Sequence, residues 1–191
     1  MIANPQFQYM SPQEFLEWEK NQELRYEYIH GEVFAMTGGT KPHNRIAGNL
    51  YTAIDNFLAE NDRDCEVFIA DVKVQLSKSN SYHYPDVVVT CDDRDKKSLN
   101  LIEHPCLIVE VLSPSTEAFD RGKKFTNYRQ LKTLKEYALI QADEIGVECF
   151  RLNKEGFWVL HSYGEGDTLN LESVGLTIPV EKLYRRVSFD G

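Results

Sequence analysis

The stretch "YPDVVVTCDDRDKKSLNLIEHPCLIVEVLSPST", residues 84–116, decides the fold. It holds two short runs, "DVVVT" and "CLIVEVL", that are apolar on both faces. Runs of this kind suit central strands of a sheet covered on each side. Each carries one carboxylate: Asp86 opens the first run, and Glu110 sits near the C-terminal end of the second. Desolvating an unpaired carboxylate costs several kcal/mol, roughly, so Glu110 needs a cation or a metal beside it. Alternation along "CLIVEVL" points Glu110 the same way as Cys106, Ile108 and Leu112. If the two strands are neighbours, Asp86 and Glu110 reach one point. Converging carboxylates repel unless one stays protonated or a cation intervenes. Hard oxygen donors favour magnesium or manganese over zinc. The bland alternative is a buried ion pair.

Working outward, "SPQEFLEW" reads as an N-terminal helix, with Ser11 as cap, Pro12 in the first turn and Glu14 three residues after the cap. "LRYEYIHGEVFAMTGG" reads as two strands around His30-Gly31, closed by a glycine turn. Residues 42–60 place Ile46, Ala47, Leu50, Ile54, Phe57 and Leu58 at helical spacing. "CEVFIADVKVQL" alternates from Ile69 to Leu76 and reads as one strand. Downstream, 117–134 reads as a helix with Phe125, Tyr128, Leu131 and Leu134 on one side. "EYALIQ", "GVECFRL" and "FWVLHSY" follow as a strand meander, and the tail adds short strands and a turn of helix. The expected fold is α/β (α+β): a mixed central sheet flanked by helices, in one domain over 1–191, with its core at about 11–160 and a strand extension at 161–191.

The helix after Glu110 supplies a cation. In "FDRGKKFTNY", Asp120, Lys124 and Tyr128 recur at i, i+4, i+8 and form one stripe. Between 121 and 135 there are six basic residues and no acid. Arg129, Lys132 and Lys135 read as a solvated face.

The chain of 191 residues is 42% apolar and 27% charged, as in globular proteins that bury a full core. Its net charge of −9 argues against nucleic-acid binding by bulk electrostatics alone, while remaining compatible with a metal-loaded acidic site. No apolar stretch approaches a bilayer span, and "MIANPQFQYMSPQEFLEWEK" lacks the pattern of a secretory signal. The four cysteines, Cys65, Cys91, Cys106 and Cys149, form no CxxC pair. They read as free thiols in a reducing cytoplasm, not as disulfides or zinc ligands.

Taken in order, "GEV", "PH" opening a helix, "DVKV", "YPDVVV", "LIVEVLSPST" and "DRGKKFTNY" resemble the Uma-type restriction endonucleases, a branch of the PD-(D/E)XK nuclease superfamily. The resemblance covers roughly 11–160. It implies a restriction-endonuclease-like fold, DNA as substrate, and Mg2+, with Mn2+ as a substitute, held by Asp86 and Glu110. The superfamily's lysine two residues after the glutamate is absent, because Leu112 stands there; the Uma-type pattern moves it to the helix, at Lys124. The resemblance also implicates Glu32 as a further metal ligand, His43 as a phosphate contact or acid/base, and Asp71. The residues alone allow bland readings for each: an exposed hairpin acid, a packed histidine and a solvated strand face. Tyr128 reads as packing more than chemistry. The expected function is therefore a metal-dependent endonuclease, cytoplasmic, without membrane association and, for cutting both strands, homodimeric. The alternative is a non-catalytic DNA- or partner-binding module that retains the fold.

Overall fold

The computed structural model describes residues 9–36 and 38–189. Thr37, in the stretch expected as a glycine turn, and the first eight residues, on which the signal-peptide expectation rests, lie outside the described residues. Two larger sheets form the body. The first has the order β2-β1-β5-β4-β7, from β1 (Tyr26–Ile29), β2 (Glu32–Ala35), β4 (Lys73–Leu76), β5 (Ser81–His83) and β7 (Leu101–Ile102). The second has the order β11-β10-β9-β8-β6-β3. Its strands are β3 (Glu66–Ile69), β6 (Val87–Thr90), β8 (Pro105–Leu112), β9 (Glu136–Gln141), β10 (Val147–Leu152) and β11 (Trp158–Tyr163). Strands β8 and β9 run parallel, and the other pairs in this sheet are antiparallel. A hairpin of β12 (Thr168–Leu171) and β13 (Leu176–Pro179) completes the mixed α+β architecture.

The two apolar runs of 84–116 become β6 and β8, adjacent and central. Their alternation serves two layers. Val87, Val89, Leu107, Val109 and Val111 pack under Ile46, Leu50 and Ile54 of α2 (Lys41–Glu60). Val88, Ile108 and Leu112 face the other way, against Val74 and Leu76 of the first sheet and Tyr128, Tyr137 and Leu139. Fully burying each such side chain stabilises the fold by about 1.5–3 kcal/mol, which locks this register. α1 (Pro12–Glu19) carries the expected capping box: Ser11 and Glu14 exchange side-chain-to-backbone hydrogen bonds of 2.8 and 3.3 Å. It buries Phe15 against Tyr28 and Tyr82, on the face of the first sheet turned away from the second.

Three expectations need correction. The run Ile69–Leu76 is two strands in two sheets. Ala70 adopts φ +56°, and the chain bends there, because the Ala70 amide donates to the Asp86 carbonyl (3.1 Å) while the chain beyond Val72 joins β5. The helix expected over 117–134 is helical only to Tyr128, as α3 (Glu117–Phe119), a π-helical turn (Asp120–Lys124) and α4 (Phe125–Tyr128). Leu131 and Leu134 still pack inward, but from turns. The cysteines are not all free: Cys65 and Cys91 form a disulfide, Cα atoms 4.1 Å apart, while Cys106 and Cys149 are thiols. β3 and β6 pair Glu66 with Thr90, so continuing the register sets Cys65 opposite Cys91.

Candidate active site

Strands β6 and β8 pair Val87 with Val109, so the next step in register sets Asp86 opposite Glu110 on the layer facing the first sheet. Glu110 is buried. Its Oε1 accepts from the Lys124 ammonium at 2.8 Å and from the Tyr128 hydroxyl at 3.0 Å. Asp86 is partly exposed. Its Oδ2 accepts from the Val111 amide at 2.7 Å and lies 3.3 Å from His43 Nε2. Asp86 Oδ1 and Glu110 Oε2 accept no hydrogen bond from the described residues.

Lys124 is the hub. Its ammonium is buried and contacts Glu110 at 2.8 Å, Glu27 at 3.1 Å and Asp120 at 3.5 Å. The π-helical turn presents Asp120 and Lys124 together on the inner side of the segment. The Tyr137 hydroxyl pins it from below by donating to the Asp120 carbonyl (3.0 Å). Outside, Arg121 pairs with Glu117 at 2.7 Å and with Glu148. Single π turns inside helices recur at functional sites.

Three carboxylates surround one ammonium, and their protonation differs accordingly. Burial raises Glu27, but Lys124 and His83 outweigh it and hold the carboxyl down at about 2. Burial lifts Glu110 well above the usual carboxylate range; Lys124 offsets this only in part, and Asp120 and Asp86 push it further. Asp120 is raised by burial against the pull of Lys124. Lys124 itself is disfavoured by burial, yet Glu110 and Glu27 keep it firmly an ammonium. For His43, burial opposes protonation; Asp86 and the Val111 carbonyl outweigh that and raise it.

Of the residues singled out from sequence, Asp86, Glu110, Lys124, His43 and Tyr128 come together. Glu32 and Asp71 do not join them. Glu32 pairs with Ile29 at the exposed end of the hairpin, on the same face as Glu27 but two residues farther along. Glu27, one strand earlier, is the acid that enters the cluster. Asp71 lies in the bend after β3 with its side chain 77% exposed, 3.7 Å from Arg25. Leu112 is packed in the core. His83 was not foreseen: it is fully buried on β5, with Nδ1 3.3 Å from Glu27 Oε2 and its ring against Phe119 and Tyr128. Gly39 leaves room for His43, since a Cβ there would lie 2.7 Å from Nδ1.

The donor chemistry fits a hard divalent cation. Asp86 and Glu110, at the ends of two strands, each keep an oxygen that accepts no hydrogen bond from the described residues. Among the described residues, no three His, Cys, Asp or Glu side chains are gathered closely enough to hold a metal ion.

The fold and this carboxylate–lysine cluster define a class: a mixed α+β protein whose polar chemistry gathers at the ends of two buried strands. The chain belongs to the Uma2 family, described as "Putative restriction endonuclease", whose profile matches residues 12–181. It is 42% identical over 183 residues to the uncharacterized protein slr1290 of Synechocystis, covering 96% of this chain and 95% of that one. The uncharacterized protein sll1609 of the same organism is 34% identical over 149 residues, 77% of this chain and 83% of that one. A crystal structure described as a "putative nuclease belonging to DUF820" from Anabaena variabilis shares the fold, with a TM-score of 0.77 at 16% identity. The match covers 94% of this chain and 99% of that one. No helix among the described residues is long and apolar enough to cross a membrane.

Proposed function

We propose that the protein is a metal-dependent endonuclease that hydrolyses DNA phosphodiester bonds, with magnesium as the metal and manganese as a substitute. The observation that carries this reading is the placement of Asp86 and Glu110 opposite one another at buried strand ends, each with a free oxygen, beside an ammonium outnumbered by carboxylates. The descriptions of the family and of the structural neighbour as nucleases support it.

Asp86 Oδ1 and Glu110 Oε2 would hold the ion. When bound, magnesium polarises a phosphate and lowers the pKa of an attached water. The chain's own groups do the rest. The Val111 amide fixes the Asp86 carboxylate by its other oxygen, and Tyr128 fixes Glu110. Lys124 supplies a positive charge for the oxygens of the scissile phosphate, the stabilisation that matters most where charge builds up. Glu27 keeps Lys124 in place and charged. His43, held beside Asp86, whose carboxylate favours its protonated form, is placed to contact the phosphate or to give a proton to the leaving oxygen. Lys123, Arg129 and Lys132 are exposed on or just after the same segment and offer a polyanion a local positive flank on an acidic protein. Cutting both strands favours a two-fold pair of copies.

The experiment is relaxation of supercoiled plasmid with magnesium, manganese or a chelator. Wild type is expected to nick with either metal; Asp86→Asn and Glu110→Gln are expected not to. One observation favours a second reading, a DNA- or partner-binding module: Lys124 already occupies the centre of the carboxylates. Calorimetry separates the two, because that module would retain DNA while showing no magnesium binding and no nicking.

A further inference from the structure

A second reactive cluster lies at the far end of β6 and β8. Cys91, just after β6, is bonded to Cys65, just before β3. Cys106, the second residue of β8, places its Sγ 3.6 Å from Cys91 Sγ. The β6–β8 register shifts between Val89 and Thr90, which sets Cys106 beside this end of β6. The Cys106 thiol donates to the Val89 carbonyl at 3.4 Å. Cys91 is exposed, and Cys65 and Cys106 are half-buried, so all three are within reach of solvent. The fourth cysteine, Cys149, is buried elsewhere, against Glu136.

We propose that Cys65, Cys91 and Cys106 form a thiol–disulfide exchange site, in which the bond migrates from Cys65–Cys91 to Cys91–Cys106. The Cys106 thiolate attacks Cys91 Sγ. The Cys91–Cys65 bond breaks as the Cys91–Cys106 bond forms, and Cys65 leaves as a thiolate that takes up the proton Cys106 gave to solvent. Nothing is oxidised or reduced overall, so no co-reactant is needed. The sulfurs start 3.6 Å apart and need to close to about 2 Å. The sequence separation spanned by the bond falls from 26 to 15. The link passes from the sheet edge, β3–β6, to β6–β8, the two strands whose other ends carry Asp86 and Glu110. The released Cys65 is then the thiol open to a small disulfide or an alkylating reagent. This inference does not depend on the nuclease reading.

The rate has a built-in brake. Burial pushes the Cys106 thiol up to about 11; nearby backbone groups and Arg63, before β3, lower it, while Glu136 on β9 raises it. Exchange follows the thiolate fraction, which grows about tenfold per pH unit below that value.

The test uses the whole wild-type chain, oxidised with diamide and incubated at pH 7, 9 and 10. Samples are quenched in acid, blocked with N-ethylmaleimide in urea at pH 6, digested with pepsin and mapped by mass. The expected result is a Cys91–Cys106 linked peptide with the label moving from Cys106 to Cys65, about a hundredfold faster at pH 9 than at pH 7. Cys149 serves as the constant free thiol. In Cys65→Ser, diamide is expected to give Cys91–Cys106. The proposal is overturned if Cys106 carries all the label after a day at pH 10. Oxidised wild type with neither bond, or Cys65→Ser that leaves Cys91 and Cys106 unlinked, overturns it equally.

Discussion

Replacing Lys124 by methionine tests the electrostatic core of the cluster. The side chain is only 6% exposed, and its ammonium is shared among Glu110, Glu27 and Asp120 at 2.8, 3.1 and 3.5 Å. Methionine keeps most of the volume, so the loss is of charge and not of packing. Removing one partner of a buried pair typically costs about 3–5 kcal/mol, because the other charge is left uncompensated. For a chain of this size, each kcal/mol corresponds to roughly 2–4 °C, so Tm should fall by about 6–20 °C at pH 7. Two conditions should return part of the loss. Burial already lifts Glu110 well above the ordinary carboxylate range and raises Asp120, and without the ammonium both rise further. A folded-state value above the unfolded one means that stability is fully present below the unfolded value and is lost as pH rises, so the variant's deficit should be smaller at pH 5 than at pH 8. Magnesium, if it binds Asp86 and Glu110, should stabilise the variant by about 2.7 kcal/mol at a hundredfold excess over its Kd. The assay is thermal unfolding at both pH values with and without magnesium, beside plasmid nicking, which should be lost throughout. A Tm within 2 °C of wild type at pH 7 would refute the claim that Lys124 compensates buried carboxylates; nicking at the wild-type rate would refute its role on the phosphate.

Glu27→Gln should abolish nicking and Glu32→Gln should not, a plasmid comparison that places the third acid on β1 and not at the hairpin end. His43→Ala should slow nicking with little change in Tm, because its ring is partly exposed. Gly39→Ala should have a similar effect, since its Cβ would press on Nδ1. Equal Tm losses and unchanged nicking in those two variants would remove His43 from the site. Cys149 is pushed up to about 12 by burial, so its thiol is neutral in the fold at pH values where the unfolded chain ionises. Its contribution is therefore lost above about pH 8.5, by at most roughly 1.4 kcal/mol per pH unit. Urea titrations of wild type and Cys149→Ala between pH 8 and 10 should show the steeper decline in wild type.

The sequence made legible whatever repeats or alternates locally. Two doubly apolar runs marked β6 and β8, and their lone carboxylates marked the cluster; the i, i+4 stripe brought Lys124 and Tyr128 with them. Glu27 escaped because "YEYI" alternates like a strand with one wet face. Only the docking of Lys124 and the stacking of one sheet over the other make that second face dry. His83, in "SYHY", is hidden for the same reason. The disulfide escaped because its cysteines are far apart in the chain, and nothing but the β3–β6 register sets them opposite each other. The bend at Ala70 was invisible because its neighbours keep a period of two while the chain changes sheets.

The cluster draws Glu27 from β1, His43 from α2, Asp86 and Glu110 from beside β6 and from β8, and Lys124 from the π-helical turn. None of these pieces encloses the site alone. Strand β8 is sandwiched between β6 and β9, and β9 begins at Glu136, well past the last of these side chains. The cluster is therefore complete only when the chain from β1 through Lys124 has folded together, with β9 beyond it flanking β8. Under the nuclease activity proposed above, a shortened fragment that ends before Lys124 is expected to leave DNA uncut, a safeguard that comes from topology and needs no separate inhibitor.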